Sequence, residues 1–254
     1  MSRQVGENPD YGHWVPKRVI YLPLIIGLAF LASSVMSLFL LFPAVFFILV
    51  AAYLSYVRFK LSSRAGHIQE SVWGLVMEHL DWNGEGKALD IGCGNGALAV
   101  KLALKHSKAE VVGIDYWGKN WEYSKNVCER NAGIEGVGNR VTFQKGSATS
   151  LPFEDESFDA AVSNFVFHEV GGVKDKRDLI REALRILKKG GKFAFQDEFL
   201  IKKMYGDPEE LIATIKSWGT ANVEFIYTRD SLFIPRLLKA PFILGTIGLI
   251  RGKK

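Results

Sequence analysis

The most pronounced feature of the hydrophobic pattern is a run without any charged residue from Val19 to Val57. A helix needs about 20 apolar residues to cross the hydrocarbon core of a bilayer, so this run is long enough to cross twice. Serines and a proline cluster between Ser33 and Pro43, and we expect the turn of a helical hairpin there. A single long, tilted helix is the alternative, although much of its length would have no place in the bilayer.

The residues that flank this run set its expected orientation. Lys17 and Arg18 precede the run, and Arg58, Lys60 and Arg64 follow it. Positive charge favours the cytoplasmic side of a membrane, so a hairpin with both ends in the cytoplasm fits these flanks. A cleaved signal peptide is a poorer interpretation, because its apolar region is much shorter. We therefore predict a membrane protein whose remaining residues face the cytoplasm.

The pattern divides the chain into four predicted segments. They are a cytoplasmic tail over 1–18, a transmembrane segment of two helices over 19–57, a connecting segment over 58–83 and a folded domain over 84–254. Apolar residues recur at three- and four-residue steps over 60–81, which predicts an amphipathic helix in the connecting segment.

Strand and helix patterns alternate in the folded domain. Strands are predicted over 87–92, 109–116, 140–146, 157–167, 191–199, 222–228 and 242–251. Helices are predicted over 97–106, 119–133, 174–189 and 207–218, the last with Asp207 as N-cap and Pro208 at its first position. Such alternation is typical of an α/β domain in which helices cover both faces of a mostly parallel sheet.

Composition and charge restrict the partners of this domain. Two cysteines among 254 residues make no disulfide framework, which favours a reducing compartment. The net charge of +5 fits either nucleic acid or an anionic membrane surface. No nucleic-acid motif accompanies the charge, and no cysteine or histidine spacing indicates a metal site. We interpret the basic residues at four-residue steps in the predicted helix 174–189 as a solvated face, with contact to lipid headgroups as the alternative.

A glycine-rich turn, "LDIGCGNG", joins the first strand of the domain to its first helix. Glycines at 92, 94 and 96 allow the backbone to approach a ligand closely, and the helix that follows offers free N–H groups. The same turn also fits the relaxed dinucleotide fingerprint, so the glycines alone do not choose between ligands.

Two acidic residues narrow the choice of ligand. Asp90 precedes the first glycine by two residues, and a carboxylate directed into the turn would repel a pyrophosphate and attract a cation. Asp115 ends the second strand, where a carboxylate accepts the hydroxyls of a ribose. A cationic nucleoside such as S-adenosylmethionine (AdoMet) fits both acids, whereas NAD fits only the second.

Four ordered motifs resemble those of class I AdoMet-dependent methyltransferases, in particular the small-molecule branch that contains the ubiquinone/menaquinone methyltransferases. The motifs are "LDIGCGNG", "VVGIDY", "LPFEDESFDAAVSNFVFHEV" and "REALRILKKGGKFAFQDEF". The resemblance covers roughly residues 64–254 and follows the order of the family. It implies a Rossmann-like, seven-stranded, mostly parallel sheet whose last strand is antiparallel, and AdoMet as the cofactor.

The resemblance also implies a set of cofactor-binding residues. Those expected at the methionine end are Asp90, Gly92, Cys93 and Gly94, with Gly96 opening the helix. Those expected around the nucleoside are Asp115 at the ribose, Tyr116 at the adenine, and Ser147 and Ala148 in a turn where the family often has an acid. Asn164 is expected to line the methyl pocket, whereas Trp117 and Trp121 are interpreted as packing a helix on the sheet.

The chemistry of methyl transfer determines which further groups the acceptor needs. A phenol or thiol must lose its proton before it attacks, whereas a neutral amine needs no base. His168 is the candidate general base, because a histidine titrates near neutral pH, although it is equally compatible with a capping role at the end of a strand. Glu169, Asp197 and Glu198 also follow strand ends, where they are placed to hold a cationic or hydroxylated acceptor.

The sequence therefore predicts a membrane-anchored methyltransferase that acts on a hydrophobic or membrane-associated small molecule, such as a quinone precursor, a lipid or a thiol. Each buried CH₂ group favours the bilayer by about 0.8 kcal/mol, which concentrates such an acceptor there. The apolar segment 231–242, with Arg236 and Lys239, is expected to rest on the headgroups beside the acceptor entrance. The alternatives are an AdoMet-binding module without turnover and an NAD-dependent oxidoreductase.

Overall fold

A computed structural model of the protein describes residues 8–63, 65, 67–118 and 123–254. The described chain forms two compact units. One unit contains residues 8–11, 71–118 and 123–254 and holds the sheet; the other contains Gly12–Glu70 and holds two apolar helices. Residues 8–11, predicted as part of a cytoplasmic tail, thus belong to the sheet unit.

The second unit is a pair of helices within the uncharged run. Helix α1 spans Arg18–Ser33, and helix α2 spans Leu41–Lys60 after a 3-10 turn at Leu38–Leu40. The helices pack closely: a Cβ added to Gly27 would lie 2.9 Å from Cγ1 of Ile48. Two helices joined by a short connection and packed on each other form an antiparallel hairpin.

The outer surface of this hairpin is apolar. Large side chains stand exposed along both helices and at the connection between them, among them Leu22, Ile25, Val35, Met36, Phe39, Phe42 and Leu49. Of the described helices, only Leu38–Lys60 is long and apolar enough to cross a membrane by length and composition, with a mean hydropathy of 2.5. Helix α1 has 16 residues. Insertion of the hairpin into a membrane therefore stays a prediction.

The sheet unit contains the predicted seven-stranded sheet. Its strands are β1 Gly86–Ile91, β2 Ala109–Asp115, β3 Val141–Lys145, β4 Phe158–Asn164, β5 Leu187–Asp197, β6 Ala221–Ile226 and β7 Gly248–Lys253. The strand order is β3-β2-β1-β4-β5-β7-β6, and β7 runs antiparallel to both of its neighbours. This order confirms the mostly parallel sheet with an antiparallel last strand.

Helices cover this sheet. They are α3 His67–His79, α4 Ala97–Lys105, α5 Lys125–Ile134, α6 Arg177–Arg185, α7 Lys202–Tyr205 and α8 Pro208–Ser217. The central strands are buried on both faces, as expected of a parallel sheet between helices. Phenylalanines fill much of the core; the ring of Phe195, for example, contacts those of Phe193 and Phe167 at centroid distances of 5.2 and 5.5 Å.

Two predicted elements in the second half of the domain were too long. The helix predicted over 174–189 ends at Arg185, because the carbonyl of Ile186 accepts the N–H groups of Ser157 and Phe158 and draws the chain into the sheet. The strand predicted over 242–251 begins only at Gly248. Before it the chain turns back on itself, and a Cβ on Gly245 would lie 2.3 Å from the carbonyl oxygen of Lys239.

Two helix starts were also predicted too early. The helix predicted over 60–81 begins at His67, because α2 runs on to Lys60 and the chain then turns at Ser62, whose hydroxyl oxygen accepts the N–H of Ala65. The helix predicted from residue 119 begins at Lys125, with the hydroxyl oxygen of Ser124 accepting the N–H of Val127 as its N-cap. Residues 119–122, including Trp121, lie outside the described residues.

Two of the three arginines of α6 form ion pairs within the sheet unit. Arg177 forms ion pairs with Asp175 and Glu210. Arg185 contacts the carboxylates of Glu182 and Asp155 and donates to the carbonyls of Leu151 and Phe153. These contacts favour the interpretation of a solvated, internally paired face over a lipid-binding one, and Lys189 lies in β5 rather than on this helix.

We expect Arg185→Met to lower the free energy of unfolding by about 1–3 kcal/mol, because the carbonyls and carboxylates around the guanidinium lose their donor. Arg181→Met is the matched control, since Arg181 lies one turn earlier, is exposed and packs over the ring of Trp218. Urea denaturation of both variants measures the difference. Equal losses in the two variants would contradict a specific role of Arg185.

Candidate active site

The glycine turn adopts the backbone conformation that the sequence predicts. The φ angles of Gly92, Gly94 and Gly96 are +69°, +57° and +83°, a region that side chains with a Cβ rarely occupy. At Gly92 a Cβ would also lie only 2.2 Å from the Val166 side chain. The turn is tied to the neighbouring strand, because the N–H groups of Gly92 and Cys93 both donate to the carbonyl of Ile114.

The peptide groups of Gly94 are held on both sides by side chains. The N–H of Gly94 donates to Oδ2 of Asp115 at 2.9 Å, and its carbonyl accepts the indole N–H of Trp117 at 2.9 Å. The thiol of Cys128, on α5, donates to the same carbonyl. The ring of Tyr123 also lies beside Gly94, 3.5 Å from where a Cβ would be. Side chains from β2, from α5 and from the loop between them thus contact the turn.

Asp115 lies at the carboxyl end of β2, as predicted for a ribose-binding carboxylate. Its second oxygen, Oδ1, accepts the N–H of Trp117 at 2.7 Å. Burial raises the pKa of Asp115, and the backbone N–H groups around it oppose that shift. The next residue, Tyr116, is exposed, with the Lys145 ammonium 5.0 Å from the centre of its ring. An open aromatic face next to the carboxylate is the arrangement expected around a nucleoside.

Asp90 differs from the expectation that its carboxylate is directed into the turn. It is fully buried, and its Oδ2 accepts the N–H of Ala99 in the first turn of α4 at 2.9 Å. Burial raises the pKa of Asp90 to about 7. The group therefore supports the start of the helix and carries only part of a negative charge at neutral pH, which weakens the charge argument against pyrophosphate.

Three other predicted cofactor residues have structural partners. Cys93 is buried, and burial raises the pKa of its thiol well above the usual value, which fits a filler of the turn and not a nucleophile. The hydroxyl of Ser147 bonds within its own turn, to the hydroxyl and the N–H of Thr149. Ala148 packs against the apolar core. Contact of these three residues with the cofactor stays a prediction.

Asn164 lies at the carboxyl end of β4, the strand next to β1. Its Oδ1 accepts the side-chain N–H of Gln196 at 2.9 Å, and Gln196 is buried on the neighbouring strand β5. Because parallel strands end at the same edge of the sheet, this amide pair lies on the same edge as the glycine turn. The position fits the predicted lining of the methyl pocket.

His168 forms an ion pair with a buried carboxylate. Its Nδ1 lies 2.7 Å from Oδ1 of Asp197. The oxygens of Asp197 also accept the backbone N–H groups of Val166, Phe167 and Glu198. Burial lowers the pKa of His168, but the charge of Asp197 and the hydrogen bond to it outweigh burial and raise the pKa to about 10.

This ion pair disfavours the prediction that His168 is a general base. An imidazole with a pKa near 10 is protonated at neutral pH and cannot accept a proton. The Asp197 carboxylate is likewise committed to the 3-10 turn at Phe167–Glu169 and is not available to an acceptor. His168 therefore presents a fixed positive charge near the end of β4.

Glu198 is the acidic residue at this edge whose side chain has the fewest partners. It is 5% exposed, and its carboxylate forms no hydrogen bond with the described part of the chain. Burial raises its pKa, whereas the positive charge of His168 opposes that shift. Glu169, which contacts the other nitrogen of the His168 ring at 3.5 Å, is about half exposed.

The residues around the turn fit AdoMet. Three glycine positions leave room for close approach of a ligand, and Asp115 offers a carboxylate at the end of β2. The rings of Trp117 and Tyr123 flank Gly94, and aromatic faces attract cations such as a sulfonium.

Sequence reasoning missed several residues at this site. Trp117 was interpreted as packing a helix on the sheet, yet its indole donates to the turn itself, and its own φ of +45° turns the chain toward Gly94. Asn95, Asn131 and the backbone of Asp10 form a further hydrogen-bonded group behind the turn. The position of Asn95 between two glycines could have indicated its part in this group. No sequence pattern connects residue 10 with residue 131.

Comparisons with known proteins support the same assignment. A family described as a methyltransferase domain matches residues 89–195. The uncharacterized methyltransferase YcgJ of Bacillus subtilis is 34% identical over 126 residues, which cover 50% of this chain and 46% of that protein. The demethylmenaquinone methyltransferase of Roseiflexus castenholzii is 36% identical over 110 residues, or 43% of this chain and 41% of that protein. This chain thus spans less than half the length of these curated relatives.

A solved structure shares the fold over a larger part of the chain. Geranyl diphosphate C-methyltransferase from Streptomyces coelicolor A3(2), crystallised with Mg²⁺, geranyl diphosphate and S-adenosyl-L-homocysteine, is 16% identical with a TM-score of 0.55. In the complex named, the match covers 76% of this chain and 80% of that chain. At this identity the likeness shows the fold, and the cofactor of the matched domain is AdoMet.

The charge on His168 makes stability depend on pH. Its folded pKa lies above the value of 6.5 in an unfolded chain, so the stabilisation is complete below about pH 6.5 and is lost as the pH rises through about 10. We expect His168→Asn, which keeps a donor for Asp197 but no charge, to remove this loss. The free energy of unfolding of the wild type should fall, relative to the variant, by on the order of 1 kcal/mol per pH unit between pH 7 and 10.

His106→Asn is the matched control for this measurement. Burial lowers the pKa of His106, so its titration ends below neutral pH and its replacement should leave the trend above pH 7 unchanged. Urea denaturation at pH 6, 8 and 10 measures all three proteins. A difference between wild type and His168→Asn that does not vary with pH would show that His168 is neutral in the fold.

Proposed function

We propose that this protein, in which residues 89–195 match a methyltransferase domain family, transfers the methyl group of AdoMet to a hydrophobic small molecule at a membrane, with the domain on the cytoplasmic side. The observation that carries the proposal is the glycine turn with Asp115 and two aromatic rings around Gly94. AdoMet supplies a methyl group already activated on a sulfonium. The task of the protein is therefore to align the acceptor and exclude water.

The charged groups at the ends of β4 and β5 favour a particular protonation state of the acceptor. His168, held protonated by Asp197, offers a positive charge that favours an acceptor oxygen or sulfur in its anionic form. Glu198, nearly buried and with a raised pKa, is placed close enough to this charge to interact with it. We assign proton acceptance to Glu198 instead of His168, so that the proton of a phenol or thiol passes to this carboxylate before the bond to the methyl carbon forms.

The surface of the helical hairpin supports the membrane part of the proposal. Val35 is 90% exposed, Met36 87% and Phe39 81%, and the sides of the hairpin are also apolar. Exposed apolar area of this extent is unfavourable in water and marks a surface that a membrane or a partner covers. The serines near the connection do not oppose insertion, since the hydroxyls of Ser33 and Ser34 donate to helix carbonyls.

Chain connectivity supports two crossings over one. Residues 8–11 precede the hairpin and belong to the sheet unit, where the backbone of Asp10 bonds to the side chain of Asn131. The described residues of 71–254 follow the hairpin and belong to the same unit. A single crossing would place these two parts on opposite sides of the bilayer and break the bonds between them. This contact supports the proposal that the hairpin leaves and returns on the same side.

A surface loop of the sheet unit offers a second membrane contact. Leu232, Leu237 and Phe242 are 102%, 62% and 72% exposed, in the segment predicted to rest on headgroups. Arg236 and Lys239 belong to the same segment. Apolar side chains next to basic ones suit the boundary between anionic headgroups and acyl chains, which is where a hydrophobic acceptor would arrive.

Labelled AdoMet tests the transfer. We expect full-length protein, incubated with methyl-labelled AdoMet and a membrane extract of its source organism, to place the label in an organic-soluble product.

Asp115→Ala should weaken AdoMet binding about tenfold or more in calorimetry, because a charged hydrogen-bond acceptor is lost. Glu110→Ala, an exposed position on the same strand, is the control. Binding without labelled product would favour a module without turnover, and a water-soluble product would contradict a hydrophobic acceptor.

Cysteine labelling tests the topology. Lys17→Cys lies just before the hairpin and Lys216→Cys on α8, and both positions are exposed, whereas the native Cys93 and Cys128 are buried. We expect a membrane-impermeant maleimide to label both variants from the cytoplasmic face of sealed vesicles. Met36→Cys, at the connection, should not react from that face. Labelling of the first two positions from opposite faces would contradict the hairpin.

A further inference from the structure

A short segment before the hairpin lies behind the glycine turn. We call residues 8–11 the strap. Its central residue, Asp10, donates its backbone N–H to Oδ1 of Asn131 at 3.0 Å and accepts from Nδ2 of Asn131 at 2.9 Å. Its carbonyl also accepts from Nδ2 of Asn95 at 3.2 Å. At the end of the strap, the ring of Tyr11 packs edge-on against the buried Trp73 at 5.7 Å.

The two asparagines that bind the strap also hold the turn and the start of α5. Asn95 lies between Gly94 and Gly96, and its backbone carbonyl accepts a second bond from Nδ2 of Asn131. Its own Oδ1 accepts the N–H of Ser124, the N-cap of α5. One network thus joins the strap, the turn and the helix that supplies Cys128 to Gly94.

Burial makes this network costly to leave incomplete. Asn131 is fully buried and Asn95 is 5% exposed. If the strap leaves, the amide groups that face Asp10 lose partners that water replaces poorly in a buried site. The conformation of Asn95, and with it the turn on either side, is therefore stabilised by the strap.

We propose that the strap is a positioning element of the cofactor site, which holds the glycine turn in its binding conformation through the backbone of Asp10. Strap docking and AdoMet binding then favour each other, and the coupling is equal in both directions. The proposal rests on the AdoMet site proposed above. It assigns a role to a segment that the hydrophobic pattern presents only as a polar tail.

A pair of substitutions at one residue separates the backbone of the strap from its side chain. Asp10→Pro removes the N–H that Asn131 accepts, whereas Asp10→Ala keeps it. In calorimetry with full-length protein in detergent, we expect Asp10→Pro to weaken AdoMet binding about tenfold, and Asp10→Ala to stay within twofold of the wild type. Unchanged affinity in Asp10→Pro would overturn the proposal. Equal weakening in both variants would also overturn it, since the side chain would then carry the effect.

Hydrogen exchange of the unaltered protein gives a second test that no folding defect can obscure. We expect saturating AdoMet to slow exchange of the Asp10 N–H by a factor similar to the loss of affinity in Asp10→Pro, since the coupling is reciprocal. Exchange at Asp10 that AdoMet leaves unchanged would show that the strap and the site are independent. If the wild type binds no AdoMet at all, the proposed function fails, and this result differs from each of the others.

Discussion

The peptide groups of Gly94 are the point on which the rest of the site depends. Asp115 accepts the N–H, and Trp117 and Cys128 donate to the carbonyl, so the turn keeps a backbone conformation that only glycine adopts easily. These partners come from the end of β2, the loop after it and α5. The strand order, which places β2 beside β1, therefore shapes the site as well as the core. It places next to the glycine turn the side chains that hold the turn in its conformation.

Local pattern predicted the strands and the site residues next to them, but not contacts between distant parts of the chain. Gly92, Gly94 and Asp115 were predicted because glycines let a ligand approach the backbone and an acid at a strand end accepts ribose hydroxyls. The prediction that the helix reaches residue 189 was wrong. The basic residues continue the helical spacing beyond Arg185, but hydrogen bonds from the start of β4 to the carbonyl of Ile186 end the helix. The hydrogen bonds of Asn131 to residue 10 have no counterpart in any local pattern.

Three buried acids show why charge at the site did not follow from sequence. Asp90 has one amide partner, and burial raises its pKa to about 7. Asp197 has three backbone N–H groups and an imidazolium, and it holds His168 in its charged form. Glu198 lacks such partners among the described residues, and burial raises its pKa. The carboxyl group thus supports a helix at Asp90, holds a cation at Asp197 and is proposed to take a proton at Glu198. Its neighbours decide between these roles, and for Asp197 most of them lie about 30 residues away in the sequence.

The strap also bears on the proposed insertion of the hairpin into a bilayer. At 1.5 Å per residue, the 16 residues of α1 extend about 24 Å, somewhat less than the roughly 30 Å of a hydrocarbon core. The apolar connection around Met36 adds to this depth, and no charged residue there prevents it from lying within the core. For a hairpin inserted as proposed, the bonds of Asp10 to Asn131 and Asn95 are kept only when the chain enters and leaves the bilayer on the same side. A single tilted crossing would separate Asp10 from Asn131, and the proposal of two crossings rests on this contact.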